Sequence, residues 1–400
     1  MTEHLVDDTQ AAAGPLAGIR VLEFASMLSG PFAGSLLALL GAEVIKVERV
    51  AGDPFRGYGG FSTHFANFNS GKRSVCVDLA DPAGHQAVLE LIARSDVVLE
   101  NARPGQMEKL GLGESVCRLA NPGLVYVGIS GFGMVGPLAD RPAYDAIGQA
   151  VSGLMDSITN GAPPSVGPAL GDITSGMVGA CAVLAGLAGR GVSGAGSTIR
   201  TSMMEALSCV ISDAMLHYAA HGTERTRQDR ATRSLVFSLQ CSDQRYVMIQ
   251  LSNSQKFFGN LVRAVGRPDL ETDDRYATYA DRMNHQIALQ AELAEIFLTE
   301  DSRHWEGVLS DADVPAAIVL SVSDVVAHPQ MEALETLGPV EEDGLRRYRG
   351  PWTIDGRRPA TPSAAPALGC DTHDVFSALL GEEETRRLIA GGILRGESEG

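Results

Sequence analysis

The sequence predicts an α/β protein: a large first part built on a mostly parallel sheet, wound as in nucleotide-binding folds, followed by a second, smaller unit. Three observations carry this. Short runs rich in β-branched residues alternate with helix-forming segments over the first 135 residues, and parallel strands need such crossovers. A polar, Arg-rich stretch at residues 222–233 then separates these from a second set of strand-like and helical segments. The chain is 400 residues long, 44% hydrophobic and 20% charged, enough for two domains that bury their cores without disulfides or metal.

The elements follow in order. Residues 19–24 (IRVLEF) form a first strand, and 31–40 carry helix formers. Residues 43–48 (EVIKVE) alternate with period two, and 74–79 (SVCVDL) repeat the strand pattern. Asp81-Pro82 opens a helix with proline in its first turn and an apolar stripe at Val88, Leu89, Leu91 and Ile92. Residues 97–99 and 124–129 are further strands. Residues 141–220 read as helical throughout, with small residues in the middle. In the second unit, 246–251 and 316–320 are strand-like, while 257–265 and 284–298 have helical periodicity. Residues 345–366 read as an extended return, and 372–393 as a helix pair.

Several functions are excluded or disfavoured. A formal charge of −17 makes nucleic acid a poor partner. The six cysteines are scattered and read as reduced thiols, and the nine histidines show no ligand spacing for a metal. Residues 1–10 lack the features of a signal peptide, and the apolar stretch 177–189 is too short to span a bilayer, so a cytoplasmic protein without membrane contact is expected. A literal Gly-x-Gly-x-x-Gly at Gly131, Gly133 and Gly136 follows a strand, but Pro137 and loop residues follow where a dinucleotide site needs a helix. No Gly-x-Ser-x-Gly elbow is present.

Basic residues gather near the strands. Arg49 and Arg56 follow the second strand, Lys72 and Arg73 precede the third, and Asn101 and Arg103 follow the fourth. Loops at strand ends converge on one face of a parallel sheet, so these groups favour an anion site there. Asp172, in ALGDITSGM, allows two readings. It is an N-cap, or it is a nucleophilic carboxylate at a helix N-terminus with glycines leaving room for a thioester. Tyr144 and Asp145 open another helix, where Tyr144 reads as a packed aromatic and Asp145 as a first-turn charge.

Together these segments resemble the family III coenzyme A transferases, the group containing formyl-CoA:oxalate and carnitine CoA-transferases. The resemblance rests on PLAGIRVLEF, SGPFAGSLLALLGAEVIKVER, NSGKRSVCVDL, ENARPGQMEKLGLG, SGFGMVGP, RPAYDAIGQAVSGLM, GDITSGM and PALGCDTHDV, in that order across residues 15–395. It implies a large Rossmann-like domain with an inserted smaller α+β domain. The first part of the large domain is then 1–220, with a linker at 221–235, the small domain at 236–332, and the return linker and remainder of the large domain at 333–400. It implies a homodimer of interlocked rings. It makes Asp172 the catalytic nucleophile, with CoA bound by Met27, Arg49, Lys72, Arg73, Asn101, Arg103 and Tyr144, and the substrate pocket formed at Ser26 and Leu28. Coenzyme A and acyl-CoA are then substrates, beside a carboxylic acid, and no tightly bound cofactor is expected.

The implied reaction transfers CoA from an acyl-CoA donor to a free acid through an Asp172 acyl anhydride and an aspartyl-CoA thioester. One alternative is the α-methylacyl-CoA racemase branch of the same fold. It places a histidine where this chain has Tyr144-Asp145, and a tyrosine is a poor shuttle for protons near neutral pH. Another is a catalytically silent acyl-CoA-binding protein. Two departures bear on the substrate. The oxalate enzyme has a glutamine where this chain has Leu28, and its glycine-rich loop has no counterpart in QLSNSQKFF. An apolar Leu28 points to an acid less polar than oxalate.

Overall fold

The structure, a computed structural model, describes residues 14–57, 62–159, 167–225 and 227–396; the expectation for residues 1–10 lies outside these. Six strands form a parallel sheet: β1 (Arg20–Phe24), β2 (Glu43–Glu48), β3 (Arg73–Val77), β4 (Val97–Glu100), β5 (Val125–Ser130) and β6 (Thr198–Ser202). Their order is 3-2-1-4-5-6, the doubly wound order of dinucleotide-binding folds, and a two-residue strand, Leu394–Arg395, adds antiparallel to β3.

The principal helices of this unit are α1 (Ser29–Leu39), α2 (Ser62–Asn69), α3 (Pro82–Ala93), α4 (Glu114–Ala120), α5 (Asp145–Val151), α6 (Leu170–Ser193) and α7 (Met203–Val210). Successive strand residues face opposite layers. Val21, Val97 and Val125 pack with α1 and α6, while Leu22, Val98 and Tyr126 pack with α3, α4 and a C-terminal helix pair, Thr372–Leu380 and Glu382–Ala390. Burial on both faces explains why these strands read as nearly unbroken apolar runs. Asp81 caps α3, accepting from the Ala83 amide at 2.8 Å.

The segment read as helical from 141 to 220 contains β6. Its TIRTS sequence pairs with β5, so the expectation of helix throughout is corrected there. Helix α6 runs 24 residues, longer than the sequence suggested, and by length and composition alone could cross a membrane. Its packing is that of a core helix. A Cβ on Gly179 would lie 2.4 Å from Ile129, and one on Gly186 2.4 Å from Val125, so glycine lets α6 lie directly on the sheet.

A second compact unit comprises chiefly Asp213–Met331. It begins with α8 (Ser212–His221), and the stretch read as a linker contains α9 (Arg227–Ser234). Strands β7 (Val236–Gln240), β8 (Tyr246–Gln250) and β9 (Ala316–Ile318) form an antiparallel sheet in that order. Phe237, Val247 and Ile249 cover one face of a core completed by Phe258, Leu293, Phe297 and Trp305. Back in the first unit, β10 (Leu337–Val340) and β11 (Arg346–Tyr348) form a hairpin within the predicted return.

Candidate active site

The strand order reverses between β1 and β4, and the loops that leave their carboxyl ends face each other across that point. Asn101, just after β4, ties the two loops together. Its Oδ1 accepts from the Ser26 amide at 3.0 Å, and its Nδ2 donates to the Ser26 carbonyl at 2.8 Å and to Ser29 Oγ at 3.1 Å. Met27 sits at φ 67°, a left-handed conformation that costs a non-glycine residue energy, and its amide donates to Asp53 Oδ1 at 3.4 Å.

Beneath this loop lies a buried ionic cluster. Glu23 and Lys46 are cross-strand partners on β1 and β2, and both are fully buried. Lys46 Nζ donates to the Ala25 carbonyl at 2.7 Å and lies 3.2 Å from Glu23 Oε1 and 2.9 Å from Asp53 Oδ2. Lys72 Nζ lies 2.7 Å from the other Glu23 oxygen and donates to the Pro31 carbonyl at 2.8 Å and to Asn69 Oδ1 at 3.2 Å. The two lysines therefore clamp both ends of the 25–31 loop through one shared carboxylate. Burial disfavours the charge on each. At Lys46 the carboxylates of Glu23 and Asp53 outweigh it and raise the pKa, whereas Lys72 falls to about 8. A Cβ on Gly34 would lie 1.9 Å from Glu23 Oε2, which is why α1 carries glycine there.

Asp172 is the third residue of α6, in its first turn, and the N-cap is Ala169. The capping is done by Asp145, from the first turn of α5. Its Oδ1 accepts from the amides of Gly171 at 2.8 Å and Asp172 at 3.2 Å, while its Oδ2 accepts from Gln149 at 2.7 Å. Gln149 is in turn held by the Pro168 carbonyl at 3.0 Å. The Asp172 carboxylate is left without a hydrogen-bond donor among the described residues. Burial, and secondarily the charge of Asp145, push its pKa up to about 7. It is thus a carboxylate of unusual basicity, with no donor competing for its lone pairs. Gly171 and Gly176 keep its surroundings tight. A Cβ on the first would lie 2.8 Å from Met203 Sδ, and one on the second 2.7 Å from the Ser29 carbonyl at the start of α1.

The residues singled out from sequence separate into two groups. Arg49 and Arg103 follow β2 and β4, are exposed, and make no ion pair among the described residues. Asn101, Ser26, Met27 and Leu28 lie at the switch point beside them. Tyr144 precedes α5 and is 66% exposed, not packed. Lys72 and Arg73 precede β3, as the sequence indicates, and so start from the amino ends of the strands. Lys72 is buried on Glu23, and Arg73 is paired with Glu43 at 3.0 Å and Asp371 at 3.1 Å. In this structure Lys72 positions the 25–31 loop and Arg73 fastens the C-terminal segment, so both cations expected to bind CoA already have carboxylate partners. The Arg56 guanidinium is likewise taken, by Glu48 at 2.6 Å.

Lys46, which the sequence groups with Arg49 at the end of EVIKVER as part of an anion site, is instead buried on two carboxylates, and sequence reasoning missed those partners, Glu23 and Asp53. The available signal was a charge within each of two strands that are otherwise apolar and buried. It also missed that Asp145 caps α6, because the contact spans 26 residues.

With this geometry in view, comparison with known proteins is decisive on ancestry. The family model for CoA-transferase family III matches residues 16–372. The chain belongs to that family. Among family III relatives, the succinyl-CoA–D-citramalate CoA-transferase of Chloroflexus aurantiacus is 31% identical over 390 residues, covering 94% of this chain and 96% of that protein. The acetyl-CoA:oxalate CoA-transferase of Acetobacter aceti is 33% identical over 364 residues, covering 87% and 92% respectively. A crystal structure of a CAIB/BAIF family protein from Brucella suis superposes with a TM-score of 0.81 at 31% identity, covering 92% of this chain and all of that one. The family III fold thus accounts for the doubly wound sheet.

Proposed function

We propose that this protein transfers coenzyme A from an acyl-CoA to a free carboxylic acid, with Asp172 as the group that is transiently acylated. One observation carries the reading: Asp172 is a half-buried carboxylate with a pKa of about 7, held on a helix whose terminal amides are already taken by Asp145. A carboxylate this basic is a better nucleophile than an ordinary one, and it is still ionised in substantial part at neutral pH.

The steps balance without an outside energy source. An Asp172 oxygen attacks the thioester carbonyl, the C–S bond breaks, and an aspartyl anhydride and a CoA thiolate result. The thiolate attacks the aspartyl carbonyl, releasing the donor's acid and leaving an aspartyl-CoA thioester. The acceptor carboxylate attacks that thioester and expels the thiolate. The thiolate then takes the acyl group from the new anhydride, regenerating the Asp172 carboxylate. Coenzyme A would lie over the switch point, its phosphates near Arg49 and Arg103 and the uncapped start of α1.

The relatives named as CoA-transferases support transfer over racemisation, as does the absence of a histidine at Tyr144. A homodimer belongs to the same reading. Helix α8 buries none of its residues and exposes Met215, Leu216 and Tyr218, a face suited to a second copy, which sedimentation velocity would detect. The central test is peptide mass spectrometry after incubation with a panel of acyl-CoAs followed by hydroxylamine. A hydroxamate on Asp172 is expected, and an unmodified Asp172 across the panel would refute the mechanism.

A further inference from the structure

Glu100 ends β4 and carries a carboxylate that the reaction steps above do not use. It is 3% exposed, in a strand whose other residues are apolar and buried. Both of its oxygens are engaged. Oε1 accepts from Arg200 Nη1 at 2.7 Å, and Oε2 accepts from the Ala102 amide at 2.7 Å, two residues along the loop that leaves β4. Burial pushes the Glu100 carboxyl up to about 7, and the Ala102 amide and the Arg200 charge work against it.

Arg200 reaches Glu100 from two strands away. In the parallel register Glu100 on β4 pairs with Gly128 on β5, and Gly128 pairs with Arg200 on β6, so the three form one row across the sheet. Neighbouring strands lie about 4.8 Å apart, so a pair across this row must span roughly twice that distance over the middle residue. The middle position has to be empty. A Cβ on Gly128 would lie 2.5 Å from both Glu100 Oε1 and Arg200 Nη1. The Arg200 guanidinium also lies 4.9 Å from the centre of the Tyr126 ring, and its Nη2 is 3.6 Å from Glu114 on α4. Arg103 lines the same small recess as Glu100, Gly128 and Arg200.

The loop held in this way is the one that carries Asn101 and Arg103. Glu100 directly precedes Asn101 and is bonded to the amide directly after it, so the backbone on both sides of Asn101 is fixed. We propose that Glu100 and Arg200 are positioning residues for coenzyme A. Through the Ala102 amide they set the 101–103 turn from which Asn101 holds the switch-point loop and Arg103 meets the ligand, and Gly128 is the gap across which they pair. The proposal rests on the reading that CoA lies over the switch point.

The test measures the Kd of free CoA by calorimetry and the kinetics of CoA transfer for the wild type, E100Q, R200M, R200K and the E100Q/R200M double variant. In E100Q the side-chain oxygen can serve Arg200 or the Ala102 amide, but the NH2 group faces the other, so one bond is lost. E100Q and R200M should each raise the CoA Kd and the acyl-CoA KM about three- to tenfold with kcat little changed, a part of what a hydrogen bond to a charged group contributes. R200K should recover some of the R200M loss, because it restores the charge without the fork. The double variant should be no worse than the weaker single one, since both act through one contact. A merely structural role would lower kcat through the folded fraction and leave Kd and KM where they were, and that result would overturn the proposal. Additive losses in the double variant would overturn it too, because Arg200 would then meet CoA itself. Wild-type protein that binds CoA but transfers it to no acid would overturn the transfer reading, while the Kd values would still decide the positioning role.

Discussion

Replacing Asp145 with Asn isolates the charge that acts on Asp172. Asn Oδ1 can still accept from the Gly171 and Asp172 amides, so the α6 cap persists while the negative charge is lost. One contact suffers: the Asn Nδ2 would face the Gln149 amide nitrogen, which at present donates to Asp145 Oδ2. Asp172 stands at about 7 against an ordinary 3.8, with burial the larger cause and Asp145 the lesser. The substitution should therefore recover less than half of the displacement and lower the pKa by about one unit, equivalent to about 1.4 kcal/mol. At pH 6 the ionised fraction would rise about fivefold. At pH 8.5, where both forms are ionised, the less basic carboxylate should attack about threefold more slowly, taking a Brønsted slope of about 0.4–0.5 as for thiolate attack. The assay is the pH profile of kcat/KM for CoA transfer, with the wild type showing an acid limb near pH 7. D145N should be faster than wild type below that limb and slower above it. A wild-type limb near pH 4, or a D145N profile with an unmoved limb, would refute the account of Asp172.

Other perturbations follow from the same geometry. Glu23→Gln removes the charge shared by two buried lysines and should cost about 3–5 kcal/mol in urea unfolding, whereas a loss under about 1 kcal/mol would mean the cluster is not a clamp. Gly176→Ala gains about 1 kcal/mol of helix propensity but pushes a Cβ against the Ser29 carbonyl, so it should show a net loss of about 1–2 kcal/mol in the same assay; a gain would count against the tight contact. Asp172→Asn should abolish transfer yet stabilise the fold. A carboxyl raised on folding contributes stability below pH 3.8 that is lost as pH rises towards 7, so the variant should be more stable by about 1–3 kcal/mol at pH 8 and not at pH 3; equal melting at pH 8 would contradict the buried charge.

Much of the fold was legible because its signals are local. Strand runs such as VIKVE and the Asp81-Pro82 helix start need only neighbours in sequence. β6 was hidden because five residues between two helices carry little periodicity of their own, and only pairing with β5 reveals them. The site was legible in part for a similar reason. The resemblance located Asp172 and the switch-point loop, and the arginines after strands could be grouped by topology. The sequence shows that Arg49 follows a strand and Lys72 precedes one, but not that the Lys72 side chain runs back under the 25–31 loop to share Glu23 with Lys46. The division of labour between Asp145 and Asp172 was hidden as well, since either carboxylate could have served as the cap.

That division explains how an acidic protein could handle anionic substrates. Its cations are deployed unequally: Lys46 and Lys72 are neutralised inside the fold to hold the 25–31 loop, while Arg49 and Arg103 face outward with no carboxylate partner among the described residues. Its anions are managed by the same means. Asp145 is spent on helix amides, and Asp172, raised to about 7, is protonated about half the time at neutral pH and so repels an arriving acid less than two full charges would. Along the proposed route Asp172 is a neutral thioester when the acceptor must approach. The incoming carboxylate then meets one hydrogen-bonded aspartate instead of two, so the covalent intermediate lowers the electrostatic barrier to the step that the free enzyme's charge would oppose.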